Sequence, residues 1–504
     1  MRFAALLLTA GILAATLSPA QATAVEAHDF TVTSTLDGSQ LVARYYRPTA
    51  RGTYPVVLAP HGGGGNVDSE APRAARYAAV GFVGVVWSAR GHGSSQGMYD
   101  LFGPKTVQDT EDVLQWVISH RSLTGADPHR AGAMGISQGG GTVNLIAARD
   151  PRIKVLAPGQ TFSGLSESLH PNGCAKLSVD TAILGAAYTA MGARLDPTLL
   201  APWTAYLATG AGADAVESQW AVRSPRNYAK STTQPTLWVQ AFDDPLFPID
   251  QALRMQALRS RSDVRLWLSW GGHFAASSTA VEGAAREAAW TGWLQHVLQG
   301  KKTANLPRVT WWYRAADGKN LVRRSAPSWP PPGVRQLAVP LSTGTVVAAG
   351  SGTADDPVIA FGERTLGIDG PVGQVVPTLP SHSPAETLVS SSAPLAQRAI
   401  VAGAPQASVM WTSTAAESQL DVKLYDVAPD GSAALLSRGC TAVHGAAAHR
   451  VTLALSHTAV EIAAGHRLQV WVQGSDAPTW LPAQQPAADT VGAGSRLLVP
   501  MLAP

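Results

Sequence analysis

A chain of 504 residues that is 45% hydrophobic and only 14% charged has material for roughly two to four domains with sizeable cores, and it is not a disordered polymer. Its formal net charge of +3 is too small for an electrostatic footprint directed at nucleic acid or an anionic membrane surface.

Residues 1–24 read as a cleaved secretory leader. Arg2 is the positive start, Phe3 to Leu17 the apolar stretch, and Ala20-Gln21-Ala22 or Ala22-Thr23-Ala24 the small-residue cleavage site. The apolar stretch is shorter than the about 20 residues a membrane span needs, and no other segment is long and apolar enough. The expectation is a secreted or periplasmic protein with no membrane partner. Its two cysteines, Cys174 and Cys440, lie 266 positions apart. In an oxidising compartment they can form one cross-link between distant parts of the fold, or they can remain two buried thiols; the sequence leaves both open.

After the leader, His28 to Arg47 alternates apolar and polar residues, as a β-hairpin does. Tyr54 to Ala59 is a buried-strand run that ends at Pro60 and His61-Gly62-Gly63-Gly64-Gly65. Pro72 to Val80 reads as a helix, Phe82 to Trp87 as a strand and Val107 to His120 as an amphipathic helix. Arg130 to Ile136 reads as a strand, Thr142 to Arg149 as a helix and Ile153 to Leu156 as a further strand. Continuous apolar strands alternating with helices indicate a parallel sheet covered on both faces. Residues 160–231, with Tyr188, Trp203, Tyr206 and Trp220, break the rhythm and predict a helical insertion capping the sheet's C-terminal edge. The rhythm resumes with Thr236 to Gln240, Ile249 to Arg259, Val264 to Trp270 and a long helix from Thr279 to Leu298, stopped by Gly300.

From residue 306 onward the character is short strands between Pro, Gly, Ser and Asp turns: Ser408 to Thr412, Leu420 to Val427, Arg450 to Leu455, Arg467 to Val472 and Arg496 to Val499. That pattern predicts a β-sandwich of jelly-roll type, with Trp329-Pro330-Pro331-Pro332 as a rigid extended connector.

The chemistry concentrates at Gly135-Ile136-Ser137-Gln138-Gly139. A Gly-x-Ser-x-Gly run between a strand and a helix is the nucleophile-elbow pattern, in which the tight turn exposes the serine hydroxyl. The competing readings are a plain glycine-rich turn and a dinucleotide loop. The latter wants Gly-x-Gly-x-x-Gly and an acidic residue about 20 positions on, and neither fits. On such folds the base and its orienting acid follow the serine in the order Ser, Asp or Glu, His. Asp243-Asp244 ends the 236–240 strand and His273 follows the 264–270 strand, so both fall on the sheet edge that carries sites in open α/β folds. The triad read from sequence is therefore Ser137, Asp244 and His273, with Asp243 as the alternate acid. Backbone N–H groups of Gln138 and of Gly63 or Gly62 would form the oxyanion hole, in the manner of a His-Gly-Gly-Gly loop. Arg90, in Ser88-Ala89-Arg90-Gly91-His92-Gly93, is expected to pair with a carboxylate beneath the site. No His-Glu-x-x-His, Cys-x-x-Cys or Walker pattern occurs, so neither metal nor nucleotide cofactor is expected.

With the elbow, the Ser88–Ser94 loop, Asp244 and His273, the chain resembles the catalytic domain of S15 peptidases and CocE/NonD hydrolases. Asp426-Val427-Ala428-Pro429-Asp430-Gly431, Ser437-Arg438-Gly439 and Gly465-His466-Arg467-Leu468 resemble the non-catalytic C-terminal domain of Xaa-Pro dipeptidyl-peptidases. The resemblance implies an α/β-hydrolase core over residues 25–305 with the cap at about 160–231, followed by an all-β jelly-roll sandwich over 306–504, and a site where the three parts meet. Two positions depart from the family pattern. Gln138 stands where an aromatic residue commonly follows the serine, and the glycine run near Gly63 stands where many members carry an oxyanion-binding tyrosine. The hole is then expected from backbone N–H groups, or from His61.

Three functional readings follow. The first is an exported serine hydrolase acting on a small-molecule or peptide acyl substrate, an ester or amide. The second is an Xaa-Pro dipeptidyl-peptidase-type exopeptidase, which needs a carboxylate for the substrate's α-ammonium; Glu167, Asp180, Asp196 and Asp214 are the candidates in the cap. The third, of a different class, is a non-catalytic protein binding carbohydrate on the same scaffold. The oligomeric state is not legible in the sequence.

Overall fold

The computed structural model describes residues 23–181, 192–209, 212–273, 279–302, 306–348, 375–380, 382–477, 479–483 and 487–504. Residues 1–22 of the expected leader, and Tyr188 of the expected cap, lie outside the described residues.

The hairpin formed by β1 (Val25–Thr33) and β2 (Gln40–Pro48) is antiparallel, and β2 continues antiparallel onto β4 (Val83–Trp87). From β4 the sheet runs parallel through β3 (Tyr54–Leu58), β5 (Ala126–Ile136), β6 (Ile153–Gly159), β7 (Thr236–Ala241) and β8 (Val264–Ser269). These central strands are apolar on both faces because both are covered, as a parallel sheet requires. On one face, α2 (Pro104–Ser119), followed by the single turn α3 (Arg121–Thr124), and α4 (Gln138–Arg149) bury Val113, Leu114, Val117, Val143 and Ile146 against Val56, Leu58 and Val85. On the other, α1 (Ala71–Ala79) and the helix Ala280–Gln299 bury Tyr77, Trp290, Trp293 and Leu294 against Val57, Met134, Val155 and Trp267.

Helix boundaries follow local chemistry. Thr279 caps the 280–299 helix by accepting from the Glu282 N–H at 3.2 Å, and Gly300 closes it in the left-handed conformation at φ 67°. Two helices begin earlier than their apolar periodicity suggests. Proline stands at the start of α2, and the Asp100 carboxylate accepts from the N–H groups of Lys105 (2.7 Å) and Thr106 (3.2 Å), so the helix opens at Pro104. The glycines 139–141, which sequence reading assigned to a turn, are helical because close packing there demands glycine rather than a better helix former.

The insertion after β6 forms α5 (Leu165–Leu169), α6 (Leu177–Thr181) and the helices Pro197–Thr209 and Ala213–Ala221. Its core joins Phe162, Leu165, Leu169, Trp203 and Trp220 to Tyr99, Leu101 and Phe102 on one side and to Leu246 and Phe247 on the other. All of these loops leave the C-terminal ends of sheet strands, so the insertion is a cap on that edge, as expected.

β9 (Val309–Arg314) adds to β8 in parallel, with Leu266 opposite Val309 and Leu268 opposite Trp311, and then turns back antiparallel into β10 (Leu321–Ala326). Arg314 pairs in turn with Val460, so among the described residues one 18-stranded sheet passes from the α/β core into the C-terminal part. A second sheet of five strands, containing Glu417–Val427, Ala433–His444 and Arg467–Gln473, faces it to make the sandwich. One buried cluster runs through both parts, from Trp238, Leu266 and Trp270 to Val401, Val409, Leu453 and Val470. Trp329, expected in a connector, is instead an anchor in this cluster. Its ring packs on Phe242 and Trp311 at 5.2 and 5.3 Å, and its indole N–H donates to His457 Nδ1 at 3.1 Å.

Removing residues beyond Gly300 would therefore strip the parallel partner from β8 and expose Trp270 and its neighbours, each worth roughly 1.5–3 kcal/mol of burial. A 25–300 fragment is expected to be insoluble or inactive, judged by soluble yield, gel filtration and turnover. A monomeric fragment with full activity would show that the sandwich is an independent module.

Candidate active site

Ser137 sits between β5 and α4 with φ 57° and ψ −124°, a conformation that non-glycine residues rarely adopt and that points its side chain out of the turn. The turn is held by its neighbours' lack of side chains. A Cβ on Gly135 would lie 2.5 Å from the Gly139 carbonyl carbon, one on Gly139 2.2 Å from the Pro60 oxygen, and one on Gly141 2.4 Å from the Phe162 ring. The Ser137 N–H donates to Gly159 O at 2.9 Å, and its carbonyl accepts from the Thr161 hydroxyl at 2.7 Å, which tie the elbow to β6.

His273 follows β8 and reaches back over β7 and β6. Its Nε2 lies 2.8 Å from Ser137 Oγ and its Nδ1 3.0 Å from Asp244 Oδ2. His273 and Asp244 are both buried. A neutral imidazole with its proton on Nδ1 donates to the Asp244 carboxylate and leaves Nε2 to receive the serine proton, which is the geometry of general-base activation of a hydroxyl. The other oxygen of Asp244, Oδ1, accepts from the N–H groups of Leu246 and Phe247 at 2.9 and 3.0 Å, so the carboxylate is fixed from its own loop. The Phe247 ring stands edge-on to His273 at 5.4 Å.

The alternate acid does something else. Asp243 Oδ1 accepts from the N–H groups of Gly271 and Gly272, both at 2.9 Å, and so holds the backbone just before His273. Burial pushes the Asp243 carboxyl up, while those two N–H bonds and the Arg314 guanidinium pull it back. The same loop is gripped from β6, where Gln160, at φ 43°, donates from Nε2 to Gly272 O at 2.5 Å. Sequence reading missed Gln160; a lone glutamine after a strand carries no motif, and only its strained backbone marks it.

At the oxyanion side, Gln138 is the first residue of α4, where helical N–H groups have no intrahelical acceptor. Gly62 lies against the elbow: a Cβ there would stand 3.7 Å from Ile136 O and 3.8 Å from Ser137 Cβ. Gly63 follows in the half-buried turn closed by the Gly65 N–H donating to Gly62 O at 3.1 Å. His61 has both ring nitrogens engaged with backbone. Nε2 accepts from the Ala89 N–H at 3.0 Å, and Nδ1 lies 2.7 Å from Gly62 O, to which it donates. Burial, with His92 alongside, holds the His61 imidazole neutral, pushed down to about 3. The ring is a brace for the glycine loop and is turned away from the role of oxyanion donor.

Arg90 behaves as expected: it is buried and bonds Asp109 through Nε and Nη2 at 2.7 and 2.8 Å, and Asp37 through Nη1 at 3.0 Å. Cys174 and Cys440 form a disulfide, joining the cap to the sandwich strand Ala433–His444. Among the described residues no group of three or more His, Cys, Asp or Glu is arranged to hold a metal ion.

A parallel sheet with a strained serine elbow, a histidine and a buried aspartate in hydrogen-bonded series defines a serine hydrolase of the α/β-hydrolase fold. Comparison with known proteins places it further. The model of X-Pro dipeptidyl-peptidase (S15 family) matches residues 37–275, and that of the X-Pro dipeptidyl-peptidase C-terminal non-catalytic domain matches residues 301–498. The chain belongs to the S15 peptidase family of serine hydrolases, and the non-catalytic alternative is set aside. Among solved structures, an aminopeptidase from the marine sediment archaeon Thaumarchaeota archaeon is 15% identical with a TM-score of 0.74, over 98% of this chain and 99% of its own. An α-amino acid ester hydrolase is also 15% identical, with a TM-score of 0.75 over 98% and 99%. A CocE/NonD family hydrolase from Staphylococcus aureus is 12% identical, with a TM-score of 0.67 over 94% and 97%. At these identities the likeness is one of fold. No curated protein sequence matches the chain.

The brace role of His61 has a measurable signature. His61→Ala leaves the buried Ala89 N–H without its acceptor, so it should lower stability by about 1–3 kcal/mol while kcat falls less than about tenfold. A loss of roughly 10²–10³ in kcat with an unchanged melting temperature would make His61 an oxyanion donor after all.

Proposed function

We propose that Ser137 attacks the acyl carbon of an amide or ester, with His273 as the base, Asp244 orienting it, and the N–H groups of Gln138 and of Gly62 or Gly63 receiving the oxyanion. The observation that carries this reading is the continuous series from Asp244 through His273 to Ser137 at 3.0 and 2.8 Å, built on a serine with φ 57°. In this scheme Ser137 Oγ forms the acyl-enzyme as its proton passes to His273, and the imidazolium returns that proton to the leaving amine or alcohol. Water then enters by the same base and releases the acid.

For the substrate, the family comparison supports an Xaa-Pro dipeptidyl-peptidase-type activity over a general esterase: both matching models carry that description and between them span most of the chain. One observation favours the alternative, an ester or N-blocked acyl substrate. Each cap carboxylate considered for holding an α-ammonium has another partner or faces solvent. Glu167 pairs with Arg226 and Arg254, Asp180 with His170, and Asp196 with Lys105 and Thr198, while Asp214 is exposed. We also propose that the protein is exported; the leader-like residues 1–24 and the Cys174–Cys440 bond support an oxidising compartment.

Ser137→Ala should abolish labelling by a fluorophosphonate probe and reduce turnover on the order of a millionfold; retention of even about a tenth would remove Ser137 as nucleophile. Asp244→Asn should lower kcat by about 10⁴, because an amide neither fixes the tautomer nor stabilises the imidazolium. Asp243→Asn keeps an acceptor for the Gly271 and Gly272 N–H groups and should lose far less. The reverse ranking would move the acid to Asp243.

The substrate proposal is decided by kcat/KM on Ala-Pro-p-nitroanilide, its N-acetylated form and p-nitrophenyl butyrate. The peptidase reading expects the free-amine anilide to be preferred over its blocked form by at least about 1.4 kcal/mol, a factor of ten. Equal rates, or turnover of the ester alone, would give the substrate to the ester or N-blocked acyl reading.

A further inference from the structure

Lys176 lies in the cap between the turn at Pro171–Gly173 and α6, and it is buried. Its ammonium donates to Pro245 O at 2.6 Å and to Leu246 O at 3.1 Å. Those two carbonyls belong to the peptide units whose N–H groups, on Leu246 and Phe247, donate to Asp244 Oδ1. Both peptide bonds are trans, so each carbonyl points opposite to its N–H. The ammonium and the carboxylate therefore stand on opposite sides of the same two peptide groups. A cation on the oxygen side polarises each amide and strengthens its N–H as a donor on the other side.

We infer that Lys176 is a positioning residue of the triad, acting on Asp244 through the two peptide units between Pro245 and Phe247. The inference rests on the reading of Asp244 as the orienting acid. The lysine is in turn fixed by the sandwich. Cys174, two residues before it, is bonded to Cys440, Asn172 Nδ2 donates to Cys440 O at 3.1 Å, and the Leu481 N–H donates to Ala175 O at 2.8 Å. A cap segment stapled to the sandwich thus delivers one positive charge to the back of the acid loop.

The charged groups around the ammonium are Asp244 on the acid loop, Asp180 on α6 with His170 bonded to it, and Asp250 at the start of the 250–258 helix. Burial outweighs the pull of these carboxylates and brings the lysine down to about 8. The grip is accordingly full below that pH and weakens as pH rises through it. Loss of the charge also removes a repulsion that an imidazolium formed on His273 meets during turnover, which displaces the acid limb of the rate profile to higher pH.

The test is Lys176→Met, checked for an unaltered melting curve, with Lys176→Gln as a second neutral replacement. Each is assayed for kcat and KM from pH 5 to 10 on whichever substrate proves best, alone and combined with Asp244→Asn. The expected result is a fall in kcat on the order of tenfold with KM unmoved, well short of the about 10⁴ that rests on the acid itself. The acid limb should move to higher pH, a wild-type decline above about pH 8 should be absent from the variants, and there should be no further loss in the Asp244→Asn background. Profiles and kcat superimposable on wild type, or equal losses in both backgrounds, would overturn the inference. If Asp244→Asn itself costs little, it is the reading of the acid that fails.

Discussion

The active edge depends on one close approach, that of Gly139 at the start of α4 to the Pro60 carbonyl at the end of β3. With 2.2 Å between that oxygen and any added Cβ, only glycine lets the helix begin so near the glycine loop. The approach has two consequences. It forces the chain through Ser137 at positive φ, which lifts the hydroxyl above the sheet, and it brings Gly62 beside the serine, where the loop's N–H groups and that of Gln138 can converge. The His61 ring, bonded to Ala89 behind and to Gly62 in front, keeps the loop against the helix from below. The loop geometry is therefore set by packing and by a neutral imidazole, without a tyrosine.

Much of this was legible in the sequence, for physical reasons. A strand–turn–helix with glycines at fixed offsets admits few other structures, and Asp244 and His273 stand out in the sequence because they follow apolar strands whose ends are easy to locate. The sandwich was less legible. In Ala433–His444 the residues Ser437, Arg438 and Gly439 interrupt any apolar alternation, yet they are buried or closely packed: the cap covers one side through Cys174 and Asn172, and Gly439 sits against Leu455. Arg335–Pro340 is mostly exposed, and Gly344–Ala348 is a short strand with a valine on its buried face and another on its exposed face, so neither shows a period-2 apolar face strong enough to read. Lys176 could not be found at all, because its partners lie 69 and 70 positions away and its chemistry is addressed to backbone carbonyls.

The adjacent acids divide the labour that the sequence assigned to one of them. Asp243 and Asp244 lie in the turn that follows β7, and their carboxylates take up different partners. Asp244 holds the ring by Nδ1, and Asp243 holds the peptide groups just before it at Gly271 and Gly272. Since Asp243 uses one oxygen to accept from two N–H groups, its hold needs acceptor capacity more than charge, and the upward push that burial gives its carboxyl is compatible with that role.

Each aspartate has a cation from a different layer in its surroundings. Arg314, at the end of the strand that carries the sheet into the sandwich, acts on Asp243, and Lys176, on the cap segment bonded to the sandwich by Cys174–Cys440, acts on Asp244 through the peptide groups of its loop. The sandwich therefore reaches the site by two routes, one along the sheet and one through the cap. Both act on the loops that carry His273 and Asp244, the proposed base and its acid. A fold that only needed to shield the cleft could do so with the cap alone. A C-terminal part sharing strand pairing, apolar core and a disulfide with the catalytic part instead makes the geometry of two loops conditional on the whole chain being folded.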